Sequence, residues 1–492
     1  MSEKKPKPIA EGFRKKLKEN IFGFDPFSLQ DFVEWVGGWG VSRALALGII
    51  YVGLWSILSL EIPNLGLFAL SWFTGTAPVW APVFLAIGAW NIWIWYLHSL
   101  YAAGRDPILL EMKIPRDIYK SPRAMELALN NLWLGSGEAT FYQRAWKGQV
   151  RPEFAFEIVS FGGEIHFYIH TWRAYKEVVE SAIYGQYPEV ELYEVEDYAT
   201  KFVWDPEKYK VFATDYTLSA PTKTHYGKDH FSGADVMPIK SYIDFELDKD
   251  PKEEFKVEPL STVLENLAIL RPDEQIWISF VFRRCGKYGT LVTSDREKEW
   301  RKAVQDEIDR LRALWTRIPK SAVEAAFPGK DISDLNKISP ANVLPISSTL
   351  QAKTITNMER HLEKLPFEFI GHAVYITTGS MRGQVFAGMR TIWKPFSGQP
   401  NMADISATRW HNTFDFPWQD FGNYRHTLQS RRFFDVYRRR AGFHAPWKFP
   451  TNVMTNEALA SIWHPPSRTV AVPGLQRIPA QKASPPANLP TR

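Results

Sequence analysis

The chain has 492 residues, 45% of them apolar and 23% charged, the balance of a folded protein too long for one small core. A net charge of +5 is too mild to argue by itself for a nucleic-acid partner, and a mean hydropathy of −0.26 confines any membrane part to a minority of the chain. The one cysteine, Cys285, excludes an internal disulfide and fits a reducing compartment.

Residues 1–40 form a basic segment with Lys4, Lys5, Lys7, Arg14, Lys15, Lys16 and Lys18. Within it "DPFSLQDFVEWVGGW" (25–39) is amphipathic and suits either the membrane interface or packing against a neighbouring apolar helix. Residues 41–103 read as a two-helix transmembrane hairpin. Its spans are expected at 42–61, around "ALALGIIYVGLWSILSL", and at 79–101, "VWAPVFLAIGAWNIWIWYLHSLY", with a connection at 61–78. Neither apolar run holds a charge, and Trp72, Trp80, Trp93, Trp95 and Tyr96 suit an aromatic belt. Some forty residues precede the first run, so a cleaved signal peptide is not expected. Basic residues flank both outer ends, and the connection has Glu61 and no lysine or arginine. The positive-inside rule then places both termini in the cytoplasm and the chain in the plasma (inner) membrane.

The cytoplasmic part is expected to be α+β. In residues 106–200, "ILLEMKIP" alternates as a strand and "SPRAMELALNNLW" is a helix opened by Ser121 and Pro122. "FAFEIVS" and "EIHFYIHTW" are strands joined by Gly162-Gly163. A helix over 175–183 and the strand "EVELYEV" complete a β-α-β-β-α-β order, that of a ferredoxin-like unit with helices on one face and an open face opposite. Strand alternation turns Glu164, His166, Tyr168 and His170 to the open face. Residues four apart on a strand are roughly 13 Å apart, too far for His166 and His170 to share one ion. No metal is expected there, and these four residues are a candidate docking face.

Residues 201–396 read as a second α+β lobe: a strand from Met237 that runs into a charged loop in "MPIKSYIDFELDKDPKEEF", helices at "PLSTVLENLAIL", 294–315 and 348–364, and strands at "EQIWISFVFRR" and "PFEFIGHAVYIT". In residues 397–464 regular pattern fades into an aromatic, basic region, closed by a short helix in "TNEALASIWH". "SRRFFDVYRRRAGF" makes Arg431, Arg432, Arg438, Arg439 and Arg440 candidate contacts for nucleic acid or an acidic partner, or braces of the domain itself. Residues 465–492 read as a proline-rich, unpacked tail.

The chain lacks G-x-x-x-x-G-K-[ST], H-E-x-x-H and C-x-x-C, and neither "GSGEA" nor "GSMRG" is a nucleophile elbow. No catalytic residue, cofactor or enzymatic activity is expected.

Several stretches together carry a resemblance: "LLEMKIPRDIYKSPRAME" (109–126), "FEIVSFGGEIHFYIHT" (156–171), "VESAIYGQYPEVELYEVEDY" (179–198), "PIKSYIDFELDKDPKEEFKVEPLSTVLENL" (238–267), "EQIWISF" (274–280) and "TNEALASIWHPP" (455–466). The chain resembles the membrane-anchored N-terminal domains of type IV secretion and conjugation coupling-type ATPases, of the HerA/FtsK class, in small-genome bacteria. In the fused form a P-loop motor follows the proline-rich region; here the sequence stops at Arg492 without one. The resemblance therefore implies a non-catalytic anchor that recruits a separately encoded P-loop ATPase. An alternative is a nucleic-acid-contacting membrane subunit on the same DNA path; a membrane-bound hydrolase has the least in its favour. Ring-shaped motors in the family imply that the anchor oligomerises.

Overall fold

The computed structural model describes residues 65–478 apart from 136–137, 139, 220–234, 249–257, 289–293, 316–348, 399–401, 410–419 and 445, with helical positions also at 47–48, 51–53 and 56. The basic segment, most of the first expected span and residues 479–492 lie outside the described residues.

Helix α1 (Leu65–Ala103) has 39 residues. Among the described residues it is the one helix long and apolar enough to cross a membrane, over Leu70–Ala103. The connection expected at 61–78 is thus helical from Leu65 onward. The hydroxyls that mimic a loop in the sequence bond back to the helix itself: Thr74 Oγ1 donates to the Leu70 carbonyl and Thr76 Oγ1 to that of Trp72, both at 2.8 Å.

Strand β1 (Pro107–Pro115) leads into α2 (Pro122–Asn131), with Ser121 at its N-cap position and proline at its first turn. A capping box between Thr140 and Gln143 fixes the short α3 (Phe141–Ala145). β2 (Phe154–Phe161) and β3 (Glu164–Trp172) turn on Gly162 and Gly163, both at positive φ. Then come α4 (Lys176–Gln186), β4 (Glu191–Val195), α5 (Tyr198–Lys201) and β5 (Lys210–Ser219). Next are α6 (Leu260–Ala268), β6 (Glu274–Arg284), the small hairpin β7 (Lys287–Tyr288) and β8 (Ser294–Asp295), α7 (Arg296–Trp315), α8 (Thr349–Glu363) and β9 (Pro366–Thr377). The chain continues with α9 (Gly383–Thr391), β10 (Asp404–Arg409) and α10 (Tyr424–Arg438). It then forms the hairpin β11 (Phe443–His444) and β12 (Trp447–Lys448), followed by β13 (Asn452–Thr455), α11 (Asn456–Ile462) and β14 (Arg477–Ile478).

Ten strands build one sheet in the order β10-β5-β9-β6-β2-β3-β1-β14, with β13 on β9 and β4 on β1. Among the described strands only β1 and β14 pair in parallel. β2 pairs with β6 from Phe154↔Phe282 to Phe161↔Gln275, so strands from residues 106–200 and 201–396 share this sheet. One face buries Leu110, Phe156, Phe167, Ile278, Phe280 and Phe369 under helices that supply Leu129, Ile183, Leu264 and Trp300, and under Trp463, which directly follows α11. Trp463 stacks on Phe156 with ring centroids 4.0 Å apart, and burying each such large side chain contributes roughly 1.5–3 kcal/mol.

The opposite face is not open. Phe433, Phe434 and Tyr437 of α10 pack on Val159, Trp277, Val374 and Ile376. Of the polar residues that made this face look wet, Tyr168 and His170 are buried, His166 pairs with Glu111, and Glu164 stays exposed. The stretch from Met237 is not a strand: Ser241 N donates to Asp244 Oδ2 at 3.1 Å, Glu246 takes φ +57°, and the chain coils to bury Tyr242 and Leu247. The segment after Pro465 packs as far as Ile478, because Val470, Val472 and Leu475 join the core and β14 pairs with β1.

Candidate functional site

Of the expected docking face, Glu164 is exposed and His166 half-buried. His166 Nδ1 lies 2.7 Å from Glu111 Oε1, which also accepts from Lys113 Nζ at 2.6 Å. The His166 hydrogen bond, with help from Lys113, holds the Glu111 carboxyl below its ordinary range. Tyr168 and His170 are buried. Tyr168 stacks between His166 and Tyr198, with centroids 5.8 and 5.3 Å away. Burial, reinforced by nearby Arg440, pushes the His170 imidazole down to about 3, so it is neutral at pH 7. α10 and α5 cover the half of the face that holds these two residues. Among the described residues no three His, Cys, Asp or Glu side chains converge as a metal set.

The five arginines separate in the same way. Arg431 and Arg439 are exposed, and Arg439 pairs with Asp435 at 2.9 Å. Arg432 is half-buried. Arg438 donates to the carbonyls of Ala199, at 3.1 Å, and Phe202. Arg440 is buried, and the candidate contact at this position is an internal clamp. Its Nε meets Glu157 Oε1 at 2.9 Å, and Nη1 and Nη2 grip Asp197 at 2.5 and 2.9 Å. Glu157 also accepts from Ser279 Oγ (3.0 Å) and Tyr198 Oη (2.8 Å). Burial opposes the Asp197 charge, but Arg440 outweighs it and holds the carboxyl low. This network ties the end of α10 to β2 and α5.

A second cluster lies where α1 meets the domain. Trp90 stacks on Phe141, with centroids 6.1 Å apart, and Trp93 sits edge-on to Trp146 at 5.9 Å. Trp93 Nε1 donates to the Ala145 carbonyl at 3.0 Å, and His98 Nε2 lies 3.2 Å from the Arg144 carbonyl. Between α1, α3 and the β11–β12 hairpin is a cavity of about 350 Å³. Its wall includes Trp95, His98, Arg144, Arg151, Arg283 and Lys448. Arg283 Nε is 2.7 Å from Glu368, and Arg151 reaches Glu368 at 3.4 Å and Glu138 at 2.7 Å. Burial drives His444 down to about 3, with Arg283 adding to the effect, and drives Glu153 up to about 8. Both are therefore mainly neutral at pH 7. The arrangement can hold an anion; it sets no nucleophile against a base.

Sequence reading missed this cavity because Arg144, Arg151, Arg283 and Lys448 are scattered over three hundred positions. The one local signal is "FYQRAWK" (141–147), whose mixture of aromatic and basic residues belongs to a membrane interface. Set against known proteins, the chain matches no family model and no curated protein.

Proposed function

We propose that the chain is a non-catalytic membrane anchor and assembly subunit of a type IV secretion or conjugation-like machine, and that it recruits a separate P-loop ATPase of the HerA/FtsK class. The observation that carries the reading is the seam of α1. The last fourteen residues of an apolar helix, Trp90–Ala103, contain the aromatic and polar contacts that fasten it to the domain. A helix joined in this way transmits position and orientation, which an anchor must do. We read β4-β1-β3-β2, with α2 and α4, as a ferredoxin-like unit; their antiparallel pairing supports this. We also read residues 42–61 as a second span, with both termini in the cytoplasm. The nucleic-acid alternative is weaker because Arg438 and Arg440 are engaged within the fold.

Affinity capture of the full chain in detergent, after cross-linking in cells, tests recruitment. Recovery of a P-loop ATPase with a HerA/FtsK-class motor is expected; its consistent absence overturns the reading. Sidedness needs engineered thiols, because buried Cys285 resists maleimide on either side of the membrane. In a Cys285→Ser background, Glu207→Cys is expected to label only after lysis and Asn64→Cys in intact cells. Labelling of Glu207→Cys in intact cells reverses the topology.

A further inference from the structure

The cavity beside α1 has an excess of positive charge. Arg144, Arg151, Arg283 and Lys448 line it against one carboxylate, Glu138. Glu368, behind the wall, is shared by Arg151 and Arg283 and leaves the excess in place. Glu153 stands 3.7 Å from His444 and, mainly protonated at pH 7, offsets little. The adjoining cavity of about 220 Å³ makes a contrast: there Arg151, Arg284 and Lys287 face Glu138, Asp295 and Glu297, so the charges balance.

The depth of the cavity along α1 points to the same ligand chemistry. At about 1.5 Å per residue, α1 is about 58 Å long, whereas a hydrocarbon core is about 30 Å thick. Because Trp90, Trp93 and His98 contact the domain, the span is placed at 65–89 in this proposal, N-terminal to the 79–101 expected from the sequence, which leaves the cavity-lining residues of α1, Asn91 to His98, at headgroup level. Beside them α3 exposes Phe141 and Tyr142, with Trp146 next to it also exposed. Lys147 Nζ sits 5.6 Å from the Tyr142 ring centroid. Aromatic side chains with a basic neighbour favour this depth.

We propose that this cavity binds the phosphate headgroup of an anionic phospholipid where α1 leaves the hydrocarbon core. Guanidinium groups donate charge-assisted hydrogen bonds to phosphate oxygens, while Ile94 and Trp95 offer an apolar wall to the glycerol and upper acyl chain. The same chemistry accepts a soluble phosphate, so the test separates the two sources. The inference rests on α1 lying in a bilayer and not on any partner ATPase.

The full chain is placed in nanodiscs of phosphatidylcholine with a small fraction of phosphatidylglycerol, and the lipid that stays bound on detergent extraction is counted by native mass spectrometry. Phosphatidylglycerol is expected to be enriched. Lys448→Glu and Arg144→Gln are each expected to lower the enrichment about fivefold, by the electrostatic loss of a basic residue near an anionic lipid. Lys287→Glu, in the balanced cavity, is expected to leave it unchanged. Thermal melts establish that each variant is folded. Equal retention of both lipids, or enrichment unaffected by the first two variants, overturns the proposal. Stabilisation by millimolar inorganic phosphate, lost in Lys448→Glu and Arg144→Gln, together with equal retention of the two lipids keeps the phosphate chemistry and overturns the lipid source. Failure of the chain to enter nanodiscs at all overturns the membrane reading of α1, and this proposal with it.

Discussion

Glu157 Oε1 and Arg440 Nε lie 2.9 Å apart although 283 positions separate them, and both side chains are buried. β2 contributes the carboxylate, and the turn after α10 contributes the guanidinium. Removing one partner strands the other charge in the interior, at a cost of about 3–5 kcal/mol. Arg440→Met is expected to lose about that much stability in urea unfolding of the detergent-solubilised protein. Glu157→Gln combined with Arg440→Met is expected to lose less than the two single losses added together, because the second change removes the stranded charge. Strict additivity would refute the coupling.

His372 gives a pH signature of opposite origin to that of His170. Its Nδ1 lies 2.7 Å from Asp215 Oδ1 and its Nε2 lies 2.9 Å from the Ala441 carbonyl. Two acceptors call for an imidazolium. Burial works against that charge, but Asp215 and the carbonyl prevail and raise the pKa above its ordinary value. A raised folded pKa means that its stabilisation is complete below the unfolded value of about 6.5 and is lost as pH rises through the folded value. Wild-type stability minus that of His372→Gln is expected to be flat in mild acid and to fall above about pH 6.5, by at most about 1.4 kcal/mol per pH unit. A difference that rises with pH would contradict the imidazolium.

The second face of the sheet separates what was legible in the sequence from what was not. Local signals placed most elements well. Trp300, Val304, Ile308 and Leu311 repeat at helical spacing and are the buried stripe of α7. Ser121-Pro122 opens α2, and Gly162-Gly163 turns the β2–β3 hairpin. Glu157, Ser279, Glu368 and His372 occupy inward positions of buried strands, yet by type they belong in water. Their partners, Arg440, Arg283 and Asp215, come from distant segments. Strand periodicity carries no information about such pairing, so the face read as solvated and the arginines near the end of α10 as outward contacts no less than internal braces. The α1 cavity was hidden for the same reason.

Gly162-Gly163 allows a sharper local test. Gly163 has φ +95°, and a Cβ there would stand 2.9 Å from the Ala268 carbonyl oxygen. Gly163→Ala is expected to cost about 1–3 kcal/mol through backbone strain. Gly185, inside α4, has no atom within 4 Å of its would-be Cβ. Gly185→Ala is expected to stabilise the protein by about 0.4–1 kcal/mol, since alanine has less freedom to lose on folding. Melting temperatures of the two variants should therefore move in opposite directions; movement in the same direction would count against the turn geometry.

Trp93 tests whether α1 is fastened to the domain or merely adjacent to it. Its indole N–H is bonded to the Ala145 carbonyl and its ring meets Trp146, both at the C-terminal end of α3. α3 has five residues, too few to persist alone without tertiary packing. Trp93 is 39% exposed, so Trp93→Ala removes one edge-on aromatic contact and one hydrogen bond, a joint loss of about 1–3 kcal/mol. Trp93→Phe keeps an aromatic ring and loses the donor, a smaller loss of about 1–2 kcal/mol. Hydrogen exchange in nanodiscs is the suitable readout because it resolves local opening. Amides of 141–147 are expected to exchange faster in Trp93→Ala, less so in Trp93→Phe, while those of β6 and β9 in the sheet centre keep their protection. Unchanged exchange across 141–147 in Trp93→Ala would show that α1 contributes nothing to holding this face, and the anchor reading would lose its main support.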